Sequence, residues 1–258
     1  ASVIIHFFKL RGSFVVAAVM LLGYWVLCVA ANPSDPYSMT GYFGRNIDIA
    51  ILGKHHMLHG DTVNGQMYHF DYEGLTSSIA AIAQVIFGYI AGNYILSKGK
   101  TAEMLNGLFV AGAVLMFCGL AWDMSFPIIK KIWSSSYTVY TTGLALIVLG
   151  IMMYLIEFKN ATGWLSRFFE VFGKNALFIF VLSGLLPRLW NLIRIPNGVD
   201  KDGNPIYLNP WTWMYEHMFK GIASAEPRAG SAIQALCFII FMWSLVWWLD
   251  KKKIYIKV

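Results

Sequence analysis

Histidine and acidic side chains gather between positions 55 and 69 in a pattern that could hold a metal ion. His55 and His59 lie four residues apart, which is one turn of a helix, and Asp61 and His69 follow nearby. Two imidazoles at that spacing could bind zinc if a further ligand folded in. An exposed helix in a solvated loop explains the same pattern, and we favour it because the general-base glutamate of an H-E-x-x-H motif is missing. We therefore expect no metal.

Two acidic side chains, Asp71 and Glu73, stand in the segment Phe70-Asp71-Tyr72-Glu73-Gly74-Leu75, just before a long apolar run. Carboxylates in this position could bind a sugar hydroxyl or orient a catalytic base. They could equally stabilise the start of the following helix, because the N-terminal end of a helix dipole attracts negative charge. The sequence leaves both functions open.

Three consecutive serines, Ser134-Ser135-Ser136, precede another apolar run. Hydroxyl groups at a helix N-terminus accept hydrogen bonds from amides that have no partner within the helix, so capping is the first explanation. The same hydroxyls and amides could instead face a polar ligand. A serine nucleophile is not indicated, because no histidine adjoins the segment.

A lysine cluster, Lys251-Lys252-Lys253 with Lys257, follows the final apolar run. Such a cluster anchors one end of a membrane helix on the cytoplasmic side. Its ammonium groups could also bind an anionic, phosphate-bearing ligand.

The elements that must position these residues are membrane helices. Of the 258 residues, 57% are hydrophobic and 13% are charged, and the mean hydropathy is +0.56. A soluble domain carries about 25% charged residues, so this composition excludes a single water-soluble core, a disordered chain and a disulfide scaffold. The net charge of +6 does not indicate nucleic-acid binding, because the basic residues fall between apolar runs. Three cysteines in separate apolar runs are typical of small buried hydrophobic residues.

Six apolar runs are long enough to cross the hydrocarbon as helices, which predicts an all-α, polytopic transmembrane helix bundle. The runs are continuous rather than alternating, so a membrane β-barrel is not indicated. We predict one bundle over residues 1–258. The predicted spans are Ser13–Ala31, Ser78–Leu96, Leu105–Trp122, Thr138–Phe158, Ala176–Leu192 and Ser231–Leu249.

The distribution of lysine and arginine predicts the orientation of the bundle. With a cytoplasmic N-terminus, eleven of the twenty basic residues fall on the cytoplasmic side, which then also holds the C-terminus. The loops 32–77 and 193–230 lie on the far side, and the second contains turn signals at residues 202–205. Residues 164–174 form a short amphipathic interfacial helix.

The predicted spans also carry evidence about packing and transport. Gly88-x-x-x-Gly92 permits close approach of two helices. No Asp, Glu, Lys, Arg or His lies near the middle of a span. Ion-coupled transporters and channels normally place ionisable residues there, so this pattern argues against them.

A series of short segments resembles the family of membrane acyltransferases related to heparan-alpha-glucosaminide N-acetyltransferase and its bacterial relatives. No single segment is specific, but their order and spacing match over nearly the whole chain. The segments are Asn46-Ile47-Asp48, Leu52-Gly53-Lys54-His55-His56, Phe70–Leu75, Gly88–Gly92, Ile129–Tyr137, Gly173–Leu177 and Lys252–Val258.

This resemblance implies an enzyme that moves an acetyl group from cytoplasmic acetyl-CoA to an amino sugar or other glycan on the far side of the membrane. The acetyl-accepting histidine of the family lies in an earlier part of the bundle that has no counterpart here, so none of the six histidines is assigned that function. The resemblance implies coenzyme contacts at Ser134, Lys257, Trp25 and Lys253. It implies substrate contacts at Asp71, Glu73 and Asn175.

The same resemblance sets the expected context of the chain. We expect the C-terminal part of a larger protein of about ten spans, in a bacterial inner membrane with both termini cytoplasmic. The expected partners are membrane lipid, acetyl-CoA, an amino-sugar or glycan acceptor and a second copy in a homodimer, without nucleic acid. The alternative function is a membrane transporter or a lipid- or glycan-handling scaffold without acyl transfer.

Overall fold

The computed structural model describes residues 1–57, 59–63, 65–199, 201, 203–222 and 227–256. Two compact units, Ala1–Asn160 and Ala161–Val258, make up the chain and are described separately. The α-helices are α1 (Ser2–Ala31), α2 (Gly44–Leu52), α3 (Ser78–Lys98), α4 (Ala102–Asp123), α5 (Ser135–Met153), α6 (Trp164–Lys174), α7 (Ala176–Trp190), α8 (Pro210–Met214) and α9 (Pro227–Lys251). The strands are β1 (His59–Val63), β2 (Gln66–His69), β3 (Ile195–Val199) and β4 (Pro205–Leu208).

Five helices in the described part of the chain are long and apolar enough to cross a membrane, and the bent pair α6–α7 adds a sixth if it forms one span. These helices coincide with the six predicted runs, which confirms the all-α, polytopic helix bundle. Helix α7 has 15 residues, or about 22 Å of length, which is less than the ~30 Å of hydrocarbon. The predicted fifth span is therefore shorter than the hydrocarbon, and it is joined to α6 by a bend of 78°. That both units form one bundle remains a prediction.

The first unit is built on two helix contacts made by small residues. Helices α1 and α3 meet at Ala17, Ala80 and Ala83, all fully buried. Helices α4 and α5 approach so closely that a Cβ atom at Gly143 would lie 2.5 Å from the backbone nitrogen of Met116. Backbones at this distance require glycine.

The close approach that Gly88 and Gly92 permit is not made within the described residues, where a Cβ atom at either position would meet nothing within 4 Å. The motif occurs in the sequence, but the neighbouring helix does not pack against it. Small residues permit close packing without enforcing it, so their spacing alone could not identify the packed face.

The second unit contains a sharp bend between α6 and α7, which meet at an angle of 78° around Asn175. Helix α9 packs on α6, where the Trp243 ring stacks on Phe168 at 5.4 Å and its Nε1 donates to the Phe168 carbonyl at 3.1 Å. Helix α6 spans the residues predicted for the amphipathic helix.

Two antiparallel hairpins, β1–β2 and β3–β4, lie in the two long loops. The second hairpin turns near the predicted signals, and Gly203 has a φ of 83° there. Neither hairpin was predicted, because strands of four or five residues are too short to show a clear alternating pattern.

Candidate functional site

A polar cavity lies in the first unit, at the end where α3 and α5 begin. A space of about 380 Å³ is lined by Tyr72, Glu73, Lys130, Lys131 and Trp133. A second space of about 190 Å³ is lined partly by the same residues, Tyr72, Glu73 and Trp133, and adds Ser77, Ser78 and Ala81. Carboxylate, ammonium, hydroxyl and aromatic groups thus surround one concave region.

One wall of the cavity is the turn that carries Asp71 and Glu73. Asp71 Oδ1 accepts a hydrogen bond from the Glu73 amide at 2.9 Å, and the Asp71 carbonyl accepts one from the Gly74 amide at 3.3 Å. These bonds form a tight turn that leaves Glu73 exposed and facing the cavity. The structure thus brings Glu73 to the cavity, while Asp71 shapes the turn beside it.

The other wall is the segment before α5. A 3₁₀ turn at Lys130–Ile132 is followed by Trp133 in the left-handed region, with φ 51° and ψ 52°. The Trp133 Nε1 donates to Gln84 Oε1 on α3 at 3.0 Å, which fixes the indole against the helix. Lys131 Nζ lies 5.1 Å from the centre of the Tyr72 ring, so a cation–π contact joins the two walls.

The serines behind this wall are buried and hydrogen-bonded. Ser134 Oγ accepts from the amides of Ile129 at 3.0 Å and Tyr137 at 3.3 Å, and it contacts Ser136 Oγ at 3.0 Å. Ser135 Oγ donates to the Leu21 carbonyl at 2.7 Å. The capping function of Ser134 is confirmed. A coenzyme contact stays a prediction, and it would require Ser134 to become accessible, since its exposed fraction is 0%.

A buried tyrosine pair fixes the wall that is formed by the segment before α5. Tyr24 Oη donates to the Ile132 carbonyl at 2.6 Å, so its single hydrogen is used and Tyr42 Oη must donate to it across 2.7 Å. Burial raises the pKa of the Tyr42 hydroxyl above its ordinary value, because apolar surroundings disfavour the charged form.

Asp48 fixes the wall that is formed by the turn carrying Asp71 and Glu73. Sequence reasoning assigned Asp48 no function. Its exposed fraction is 1%, and its Oδ1 accepts from the Thr76 amide at 3.1 Å and from Thr76 Oγ1 at 2.9 Å. Two sequence signals were present at this position: Asp48 lies in the segment Asn46-Ile47-Asp48 of the family resemblance, and an acidic residue between Ile47 and Ile49 could have suggested a buried carboxylate.

The remaining predicted coenzyme residue in the first unit is Trp25. Its Nε1 donates to Tyr37 Oη at 3.0 Å, and its ring lies 5.7 Å from that of Trp122. Trp25 is half-buried and does not line the cavity described above. Its contact with a coenzyme stays a prediction.

In the second unit, Asn175 holds the segment that leads to the last lysine. Its Nδ2 donates to the Ile254 carbonyl at 3.2 Å, and its Oδ1 accepts from the Ile256 amide at 2.8 Å. Lys253 is exposed, whereas Lys257 lies outside the described residues. The substrate contact of Asn175 stays a prediction. Its side-chain amide already forms both of these hydrogen bonds with the backbone of the C-terminal segment.

The histidine cluster does not have the predicted geometry. His55 lies in a 3₁₀ turn at Lys54–His56, whereas His59 begins β1, so the two are not one turn apart on a helix. The side chains of His59 and Asp61 lie outside the described part of the structure. In the part that is described, no three His, Cys, Asp or Glu side chains group as metal ligands.

Long apolar helices that frame a polar cavity define an integral membrane protein with a candidate binding or catalytic site. No family model matches the chain. The chain is similar to an N-acetyltransferase, the human heparan-alpha-glucosaminide N-acetyltransferase, with 24% identity over 168 aligned residues. The match covers 59% of this chain and 25% of the human protein, so the chain matches about a quarter of that relative's length. This likeness is distant and fits a membrane acetyltransferase.

Proposed function

We propose that the protein is a membrane N-acetyltransferase that transfers an acetyl group from acetyl-CoA to an amino sugar or related glycan. The transfer breaks the C–S bond of the thioester and forms a C–N bond; the amine gives up one proton and the leaving thiolate gains one, so the coenzyme departs as its thiol. Support comes from the likeness to the human N-acetyltransferase and from the apolar spans. The group that takes up the proton is not assigned to any residue of this chain.

The observation that carries the proposal is the polar cavity between Glu73 and Lys130. Sugars are bound by carboxylates that accept from hydroxyl or amino groups and by aromatic faces that cover the apolar side of the ring. Glu73, Tyr72 and Trp133 supply these groups, and Ser77 and Ser78 add hydroxyls. We therefore propose this cavity as the amino-sugar site.

The coenzyme contacts are proposed from the family resemblance and from charge. Lys253 and Lys257 are proposed to bind the coenzyme phosphates through ammonium groups. Ser134 and Trp25 are proposed to lie near its acyl end. Asn175 is proposed as a substrate contact on the resemblance alone.

The proposed orientation puts both termini in the cytoplasm of a bacterial cell and the amino-sugar cavity on the far side of the inner membrane. Cysteines placed singly at Lys130 and Lys100, in a background without native cysteines, test it with a membrane-impermeant thiol reagent. Lys130→Cys should react in intact cells, and Lys100→Cys only after the membrane is opened. Reaction of Lys100→Cys in intact cells would show that the orientation is the reverse of the one proposed.

The activity test uses the complete gene product in nanodiscs, radiolabelled acetyl-CoA and p-nitrophenyl glucosaminide as the amino-sugar probe. Glu73→Gln should raise the KM for the glucosaminide about tenfold, the size expected for one hydrogen bond to a charged group. It should leave the KM for acetyl-CoA unchanged. The matched control is Glu157→Gln, which changes an exposed carboxylate 3.8 Å from Lys100 in the same unit.

Two outcomes would contradict the proposal. Absence of acetylated product from the wild-type protein with glucosaminides would exclude the proposed reaction. Binding of the glucosaminide without any acetyl transfer would favour the alternative function, a glycan-handling scaffold.

A further inference from the structure

We propose that Asp48 is a positioning residue that fixes the turn carrying Glu73, and thereby the affinity for the amino sugar; the second part rests on the proposed function. Asp48 lies on α2 and does not line the cavity. It acts through the residues that follow Glu73.

The first contact of Asp48 is with Thr76, at the end of the turn. Asp48 Oδ1 accepts both the backbone amide and the hydroxyl of Thr76, at 3.1 and 2.9 Å. Thr76 stands two residues before α3 begins at Ser78. A single carboxylate oxygen thus ties the turn to α2, 28 residues earlier in the chain.

The second contact is with Gly74, the residue directly after Glu73. A Cβ atom at Gly74 would lie 2.0 Å from Asp48 Oδ2 and 3.3 Å from the Asp71 carbonyl oxygen. A Cβ atom cannot lie 2.0 Å from an oxygen to which it is not bonded, so no side chain fits at position 74. The turn therefore rests on the carboxylate itself, and a glycine is required because Asp48 is present.

The burial of this charge is costly, which argues that it has a specific use. Asp48 is 1% exposed, and within the described residues no lysine or arginine forms an ion pair with it. A buried carboxylate is tolerated when hydrogen bonds satisfy it, and here both of those bonds come from Thr76. The bonds of Asp48 thus act on one segment, the turn beside the cavity.

The test is a double-mutant cycle between Asp48→Ala and Gly74→Ala in nanodiscs. In the wild-type background, Gly74→Ala should weaken binding of p-nitrophenyl glucosaminide about tenfold, because the new methyl group displaces the turn. In the Asp48→Ala background it should add little, because the carboxylate that it meets is gone. Acetyl-CoA affinity should change less than about twofold in each variant.

Two further variants separate positioning from folding. Asp48→Asn keeps an oxygen for both Thr76 bonds and should retain affinity within about threefold of wild type. Asp35→Ala removes a carboxylate that accepts from the Thr40 hydroxyl in another loop of the same unit. It should leave the affinity for the glucosaminide unchanged. If Asp48→Ala does not fold, Gly74→Ala and Asp48→Asn still decide the question.

Amide hydrogen exchange provides a readout that needs no ligand. Asp48→Ala should speed exchange over residues 72–78 and leave the rest of the unit unchanged. Equal costs of Gly74→Ala in both backgrounds, or unchanged exchange in this segment, would overturn the inference about Asp48. A wild-type protein that binds no glucosaminide would instead overturn the proposed function, while the exchange data would still decide whether Asp48 holds the turn.

Discussion

Two polar regions of the molecule differ in their exposure to solvent. The polar cluster of the first unit (Tyr24, Tyr42, Asp48, Thr76 and Ser134) has exposed fractions of 6% or less. The basic tail of the second unit (Lys251–Ile256) is exposed and is held by the Asn175 amide at Ile254 and Ile256.

The difference teaches what each region can recognise. Polar groups buried among apolar helices must be hydrogen-bonded, so the polar cluster fixes the cavity walls in one geometry. Exposed ammonium groups can bind phosphate groups, and their attraction to them weakens with salt. In the proposed function, the hydrogen-bonded cavity binds the sugar ring and the exposed lysines bind the coenzyme phosphates. The predictions below test this contrast.

Lys257→Ala, which removes the lysine that follows the basic tail in the sequence, should have the largest effect. Loss of one charge-assisted contact should weaken acetyl-CoA binding by about 1.5–3 kcal/mol at low salt, and by less at high salt. Calorimetric titration of the complete gene product in nanodiscs measures it. Lys220→Ala is the control, since it removes an equal charge that is paired with Glu216 in a different loop. Unchanged affinity at low salt would reduce Lys257 to a topological anchor.

Asn175→Ala should release the tail. Two hydrogen bonds between the Asn175 side chain and the backbone are lost. This loss should lower the free energy of unfolding by about 1–3 kcal/mol and speed exchange of the Ile256 amide. Asn191→Ala, at an exposed asparagine, is the control and should change neither quantity. Full protection of Ile256 in the Asn175 variant would show that other contacts hold the tail.

Tyr24→Phe tests the rigidity of the polar cluster. It removes the bond to the Ile132 carbonyl and the partner of Tyr42, and should cost about 1–2 kcal/mol of stability. Tyr42→Phe leaves the Ile132 bond intact and should cost about half as much. Thermal unfolding in nanodiscs gives both values, and a larger cost for Tyr42→Phe would reverse the proposed direction of the pair.

The membrane helices could be predicted closely from the sequence, because a continuous apolar run is a local property. The run predicted as Ser78–Leu96 is α3, Ser78–Lys98. The cap at Ser134 was equally local, since a serine at a helix start bonds an amide three residues on.

The site residues could be predicted only in part. Glu73 was found because it belongs to a recognisable segment next to a helix. Asp48 also belongs to a segment of the resemblance, but it was assigned no function, because its partner Thr76 lies 28 residues away and only the folded chain brings them together. The histidine prediction failed for a related reason: the spacing of His55 and His59 assumed a helix, whereas the backbone changes to a strand between them.

Ser134→Ala should have the smallest effect, and it separates a cap from a coenzyme contact. Loss of a cap that accepts two amides should lower stability by about 0.5–1.5 kcal/mol. A coenzyme contact adds a loss of acetyl-CoA affinity of about 0.5–1.5 kcal/mol, as for a neutral hydrogen bond. Ser135→Ala is the matched control, because Ser135 is as deeply buried but donates to the Leu21 carbonyl. The proposed contact requires that the Ser134 variant alone weakens coenzyme binding. If the two variants lose the same affinity, or neither loses any, then Ser134 is a cap and the polar cluster serves only the sugar side of the reaction.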